Sequence, residues 1–337
     1  MRIGIIAAVA ALSFAASAGA QSPAKVKFTL DWKFEGQTSF MWLGLERGYF
    51  QKEGLEMQVD AGAGSATAIQ RIHTGAYDAG LGDISALIEY FGNNPGETRQ
   101  QMVYLQYDEA PIAYYALKKS GLKSISDLAG KRVTGAPFEI SRKMFAVFAA
   151  AAKIPADSVH WVTLDPSLRA TAVIKGDADV CGGFMNIPLE FEQRGVKRDE
   201  LTEMRVSDIG VRIYGNGVFV SSKMIQENPK AVAGLVRALN RSFKEGLADP
   251  VAAVKALKAR EPLAEESIEV QRFRLLFPAI LTPRVKSGGL GSVDKAVLAK
   301  QIDYVASTVK LKSVPTADAL YNDSFLPPQA ERMPLGK

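Results

Sequence analysis

The chain has 337 residues, is 47% hydrophobic and carries a formal net charge of +5. That length suits two domains of ordinary size, each with its own core, and the apolar content excludes a disordered chain. The positive excess is mild and no long Lys/Arg run is present, so nucleic acid is not an expected partner.

The first residues read as an address. Arg2 precedes an apolar stretch from Ile3 to Ala18, and Ala18-Gly19-Ala20 is a small-x-small cleavage site. The pattern predicts a cleaved signal peptide over residues 1–20 and export to the periplasm. The stretch is short against the ~20 apolar residues of a membrane span, no Cys follows to take a lipid, and no later segment is apolar enough to span. Cys181 is the one cysteine, in ADVCGGF. It excludes an intrachain disulfide and reads as a buried structural thiol.

Period-2 alternation predicts a strand over 25–32, and an apolar face from Phe40, Leu43 and Phe50 predicts a helix over 39–52, stopped by Gly54. A strand follows at 55–60, the loop AGAGS, a helix over 67–74, a strand over 78–82 and a helix over 84–91. GNNPGET is turn chemistry, and 102–106 is a further strand. Residues 112–119 read as a first crossing between lobes. Ser126-Asp127-Leu128 caps one helical turn, and a second sheet starts at 131–135. A helix over 141–152, a strand over 159–164 and a helix over 187–194 complete that lobe. Residues 214–220 carry the chain back, with Gly215, Asn216 and Gly217 giving a hinge its backbone freedom. Helices over 230–248, 250–260, 264–277 and 292–308 pack on the first lobe, and the tail from Pro327 is expected to fray.

One pattern occurs twice. SATAIQRIHTGAYDAG begins at Ser65 and SLRATAVIKGDADVCG at Ser167. Each is a helical stretch, then Gly, two residues, Asp and a small-residue strand, so Gly75 matches Gly176 and Asp78 matches Asp179. The repeat predicts two similar α/β lobes with a ligand cleft between them: residues 21–113 and 214–337 in one, 114–213 in the other.

In such sheets ligands sit beyond the carboxyl ends of the strands. The turns there offer Asp31, Trp32, Lys33, Phe34 and Glu35; the Gly64-Ser65 loop; Gly82 and Asp83. In the second lobe they offer Phe138, Ser141 and Arg142; Asp165 and Ser167; Gly183, Phe184 and Asn186. AGAGS before a helix leaves N–H groups for an anionic or accepting ligand group, with Ser65 as the helix cap. Arg142 is either a fork for a carboxylate or sulfonate or a solvated surface residue. Trp32 and Phe34 either stack on a flat ligand or pack in the core. Glu35 accepts from an amino group or lies free in a loop. Neither His73 nor His160 has the spacing of a triad or a metal site, and HExxH, GxSxG and CxxC do not occur. No catalytic residue, metal ligand or cofactor is expected.

LDWKFEGQTSFMWLGLERGYFQKEGLEMQV, GAGSATAIQRIHTGAYDAGLGD, SDLAGKRV and GDADVCGGFMNIPLE resemble periplasmic substrate-binding proteins of ABC importers. The branch is the one that holds nitrate, sulfonate and taurine binders together with binders of thiamine pyrimidine precursors, and LDW with GYFQKEGL favours the pyrimidine side. The resemblance implies a type 2 periplasmic-binding fold and a monomeric receptor. Its small flat or anionic ligand would pass to permease subunits at the inner membrane. It also implies ligand contacts at Asp31, Trp32, Gly64, Ser65, Gly82, Asp83, Ser141, Arg142 and Asn186. The chain departs from pyrimidine and flavin binders after Asn186, where Ile187-Pro188 stand in place of an aromatic-acid pair. The related pyrimidine synthases carry a Cys-rich motif that one cysteine cannot supply.

Overall fold

The computed structural model describes residues 22–96 and 100–335. The expected signal peptide and residues 97–98 of the GNNPGET turn, with Arg99 after it, lie outside the described residues. The strands are β1 (Ala24–Thr29), β2 (Leu55–Asp60), β3 (Ala79–Asp83), β4 (Gln100–Leu105), β5 (Ile112–Leu117), β6 (Arg132–Thr134), β7 (His160–Val162), β8 (Val180–Phe184), β9 (Leu201–Arg205) and β10 (Asn216–Ser221). They form two five-stranded sheets of one topology, ordered β2-β1-β3-β10-β4 and β7-β6-β8-β5-β9. In each, three parallel strands come first, and an antiparallel strand then joins them to the edge.

The repeated pattern sits at equivalent places in the two sheets. Gly75 and Gly176 end their helices at φ +77° and +82°, left-handed values that carry no Cβ penalty for glycine. Three residues on, each Asp makes the same clamp. Asp78 accepts from the Lys27 backbone N–H at 2.8 Å and donates its own N–H to the Lys27 carbonyl at 2.9 Å. Asp179 repeats this with Arg132, at 2.9 and 2.8 Å. The carboxylate thus fixes β3 against β1 in one sheet and β8 against β6 in the other.

Helices cover both sheets. Pro229–Ala248 and Pro250–Arg260 pack against Ser39–Glu46; Gly44 permits the approach, since a Cβ there would lie 2.0 Å from Ser242 Oγ. Phe28, Leu43, Leu235, Phe243 and Leu257 are buried in that layer, while Tyr114, Phe148 and Val180 fill the core of the second sheet. Side chains of this size contribute about 1.5–3 kcal/mol each on burial. Cys181 is fully buried, and burial pushes its thiol up to about 12.

Several expectations are corrected. Residues 112–117 are not a crossing but β5, an inner strand of the second sheet between β8 and β9. Its run IAYYAL is apolar because both of its faces are covered. The chain passes between the sheets at 106–111 and 206–215 instead. Gly215 and Gly217 are not free hinge points: a Cβ at Gly217 would meet Met102 Sδ at 2.1 Å, and one at Gly215 would meet Tyr107 and Pro111. The tail does not fray before residue 335. Gln329–Arg332 is a helical turn, and Arg332 is buried, donating to the carbonyls of Pro327 at 2.9 Å and Leu290 at 2.7 Å. The helix expected over 39–52 breaks into Ser39–Glu46 and Tyr49–Lys52, and that over 141–152 into Ile140–Lys143 and Phe145–Ala151. Strand β9 and the helices Ser222–Glu227 and Pro283–Gly288 are additions to the sequence reading.

Candidate functional site

A cleft of about 650 Å³ opens at the carboxyl ends of β1, β3 and β8, lined from both lobes. On the first lobe the chain leaves β1 at Leu30, and the loop before helix Ser65–His73 folds back on it. The Gly64 N–H donates to the Asp31 carbonyl at 2.7 Å and the Gly62 N–H to the Trp32 carbonyl at 3.0 Å. Gly64, at φ +106°, is the residue that makes this return possible. These two N–H groups are therefore spent internally, while the helix-start N–H groups of Ser65 and Ala66, two residues that line the cleft, keep no partner among the described residues. Ser65 is also not the cap. Its hydroxyl lies 3.3 Å from Asp31 Oδ2 and accepts the Asp83 N–H at 3.0 Å, tying β1 to β3.

Two carboxylates lie in this floor. Asp31 accepts from Asn216 Nδ2 at 2.7 Å. Burial raises its pKa, and the hydrogen bonds from Asn216 and Ser65 only partly offset that. Asp83 caps helix Ile84–Asn93 through Oδ1, which accepts the Ser85 N–H at 2.7 Å. Burial pushes it up to about 6, because desolvation disfavours the charged form. Its Oδ2 is buried without a partner, as are Gln37 Oε1, Gln106 Oε1 and Asn216 Oδ1. Their orientation is fixed where the amide nitrogens are held: Gln37 Nε2 donates to Glu35 Oε2 at 3.1 Å and Asn216 Nδ2 to Asp31. The first lobe therefore presents a set of hydrogen-bond acceptors.

The second lobe differs. Arg169 enters the cleft from helix Arg169–Lys175 and is 13% exposed at its side chain. Its Nη1 lies 2.7 Å from Glu139 Oε1, and its Nη2 lies 2.8 Å from Glu190 Oε1. Burial raises the pKa of Glu139, with Arg169 opposing it; in Arg169 the attraction of Glu190 and its neighbours outweighs burial and raises the pKa. Phe138, Phe184 and Asn186 complete this wall, and Ser141 Oγ is buried there without a partner. Lys143 Nζ pairs with Glu89 of the first lobe at 2.6 Å.

The structure brings Asp31, Trp32, Glu35, Gly64, Ser65, Asp83, Ser141 and Asn186 to the cleft. It places three others elsewhere. Phe34 packs edge-on against Trp42, with ring centroids 4.9 Å apart. Gly82 lies behind the floor, where its missing side chain makes room for Phe219. Arg142 lies 5.1 Å from the Trp161 ring, and its Nη1 donates to the Gly135 carbonyl and Thr163 Oγ1 at 2.9 and 2.7 Å, which holds it outside the cleft lining. Asn216, Gln106, Gln37, Glu139 and Arg169 escaped the sequence reading. The repeat carried one usable signal. At the 101-residue offset that joins Gly75 to Gly176, Arg169 stands where the first copy has Ala68, which is fully buried.

A family model described as NMT1/THI5 like matches residues 36–253. The chain belongs to the NMT1/THI5-like family. Relatives include the riboflavin-binding protein RibY of Chloroflexus aurantiacus, 24% identical over 85% of this chain and 81% of that protein. The formylaminopyrimidine-binding protein of Halalkalibacterium halodurans is 22% identical over 78% and 80%. A 4-amino-5-hydroxymethyl-2-methylpyrimidine phosphate synthase of Legionella pneumophila is 23% identical over 71% and 74%. Among solved structures, the periplasmic aliphatic sulphonate binding protein SsuA of Escherichia coli superposes with a TM-score of 0.68, 12% identity and coverage of 86% and 91%. The two sheets and their cleft are thus a periplasmic-binding protein fold.

Proposed function

We propose that the protein is an exported solute receptor of an ABC importer. It binds a small, flat nitrogen heterocycle rich in N–H donors, of the pyrimidine thiamine-precursor kind, and delivers it to a membrane permease from the periplasm as a monomer. One observation carries the ligand class: Asp83, Gln37, Gln106 and Asn216 of the first lobe line the cleft, and each holds a buried acceptor atom without a partner. A buried acceptor left unpaired costs about 1–3 kcal/mol, so a ligand that brings N–H groups to these atoms removes that cost on binding. Trp32, Phe138 and Phe184 provide aromatic faces for a planar ring. Of the cations that line the cleft, Lys33 and Arg194 are exposed, and the part-buried Lys143, Arg169 and Arg272 all have carboxylate partners within 4 Å, so the interior of the cleft disfavours the sulfonate, nitrate or aromatic acid of the alternative reading.

The relatives named for riboflavin and formylaminopyrimidine support the same class. The ligand would draw the lobes together by touching both, since only differential affinity for the closed form shifts that balance. A pyrimidine-synthase-like enzyme has less support. His73, the histidine such an enzyme would draw on as a base, lies against Tyr90 with ring centroids 5.0 Å apart and ring planes tilted by 59°, and it does not line the cleft. Titration calorimetry against 4-amino-5-hydroxymethyl-2-methylpyrimidine, formylaminopyrimidine, ethanesulfonate, nitrate and benzoate tests the proposal. Heat is expected with the pyrimidines alone. Preference for any of the anions, or silence with the whole panel, rejects it.

A further inference from the structure

We propose that Glu139 and Glu190 are specificity residues that close the second lobe to anions by neutralising Arg169. The inference rests on the reading of the cleft as a ligand site and adds what that site turns away. Arg169 is the cation a carboxylate or sulfonate would seek, since a guanidinium fork matches either group with two parallel hydrogen bonds. The fork is already filled. Nε and Nη2 donate to the Glu190 carboxylate, at 3.2 and 2.8 Å to Oε1, and Nη1 donates to Glu139 Oε1 at 2.7 Å. Glu139 is itself fixed, because its Oε2 accepts the Ala136 N–H at 2.6 Å.

The three side chains are 13%, 16% and 17% exposed, so the group is shielded from bulk water. Its formal charge is −1: one guanidinium against two carboxylates. An incoming anion thus meets net repulsion in a setting where Coulomb interactions are weakly screened. It would also have to displace a carboxylate, leaving that buried charge unpaired. A neutral ring with N–H donors meets no such barrier and finds carboxylate oxygens on this wall as well. This is discrimination by a built-in repulsive element, not by a missing contact.

The test uses the mature protein and two isosteric variants, Glu139→Gln and Glu190→Gln, with ethanesulfonate and inorganic phosphate as probes. Each variant removes one negative charge and keeps an oxygen that accepts from Arg169. Calorimetry is expected to show no anion binding by the parent protein at millimolar concentration. Affinity for ethanesulfonate should rise by at least ~10-fold in Glu190→Gln, the change that leaves Arg169 balanced by Glu139 alone and replaces the charged acceptor of Nε and Nη2 by a neutral, displaceable one. Adding Arg169→Met to Glu190→Gln should erase the gain. Folded variants with no gain, or a gain that survives Arg169→Met, overturn the proposal. If a variant fails to fold, the parent protein still decides: ethanesulfonate binding there overturns the proposal, and its absence alongside binding of a pyrimidine supports it. The variants' gain does not depend on which heterocycle binds. A parent protein silent to pyrimidines therefore rejects the ligand class alone, while the anion gain in the variants is read separately.

Discussion

The two lobes share a scaffold and divide the chemistry. Both order their strands alike and carry the Gly-x-x-Asp clamp, Asp78 on Lys27 in one and Asp179 on Arg132 in the other. Their cleft walls are opposite in kind. The first lobe holds buried acceptors without partners, around Asp31 and Asp83. The second holds a charged triad, Glu139–Arg169–Glu190, whose members satisfy one another. The comparison teaches that repetition supplies the frame, while function is written where the copies diverge: Ala68 in one, Arg169 in the other.

The contrast breaks first at the triad. Arg169→Met leaves two buried carboxylates facing each other, and urea unfolding should show a loss of about 3–5 kcal/mol. In the first lobe, Gln106→Met removes an acceptor that has no partner. It should change stability by less than ~1 kcal/mol while weakening pyrimidine binding at least ~10-fold. Equal stability losses from the two substitutions would erase the distinction.

The next effect is a pH dependence. The folded-state pKa of Asp83 is raised from its ordinary value near 3.8 to about 6. The native state then binds the proton more tightly than the unfolded chain, so this group's contribution to stability falls as pH rises from ~4 through ~6 and stays low above. Asp83→Asn removes the titration and keeps an oxygen to cap the helix. It should stabilise the ligand-free protein above pH ~6 by about 1–3 kcal/mol and leave it little changed below pH ~4. Melting curves of the two proteins across pH check this, and a constant difference would contradict it.

The shared clamps should behave alike. Asp78→Ala and Asp179→Ala are each expected to cost about 1–2 kcal/mol, the second somewhat more because Asp179 also pairs with Arg132 at 2.8 Å. Smallest is the pair between the lobes. Lys143→Met removes a part-exposed ion pair with Glu89 and should change stability by at most ~1 kcal/mol. It should also shift the solution scattering profile of the ligand-free protein toward a more open form.

The sequence made the frame legible because its signals are local. Gly75, Gly176, Asp78 and Asp179 each act within a few residues or on the adjacent strand. The strand-end loops were legible for the same reason, and they brought Asp31, Ser65, Asp83 and Asn186 to the cleft. Long-range pairings were not legible. β5 looked like a crossing because its neighbours β8 and β9 lie some 70 to 90 residues downstream. Asn216 looked like backbone freedom, yet its amide meets Asp31 across 185 residues. Arg142 and Arg169 are both arginines at helix starts in the sequence, and only the packing decides which one turns inward.

The central claim is that the first lobe's buried acceptors receive N–H groups from the ligand. Calorimetry with 4-amino-2-methylpyrimidine and its 4-dimethylamino analogue tests it most directly, because the second keeps the planar ring and loses both amino N–H donors. The account predicts binding of the first and at least a ~100-fold loss with the second, as befits a site built to hydrogen-bond its ligand. Equal affinity for both, or tighter binding of the dimethylamino ring, would contradict it.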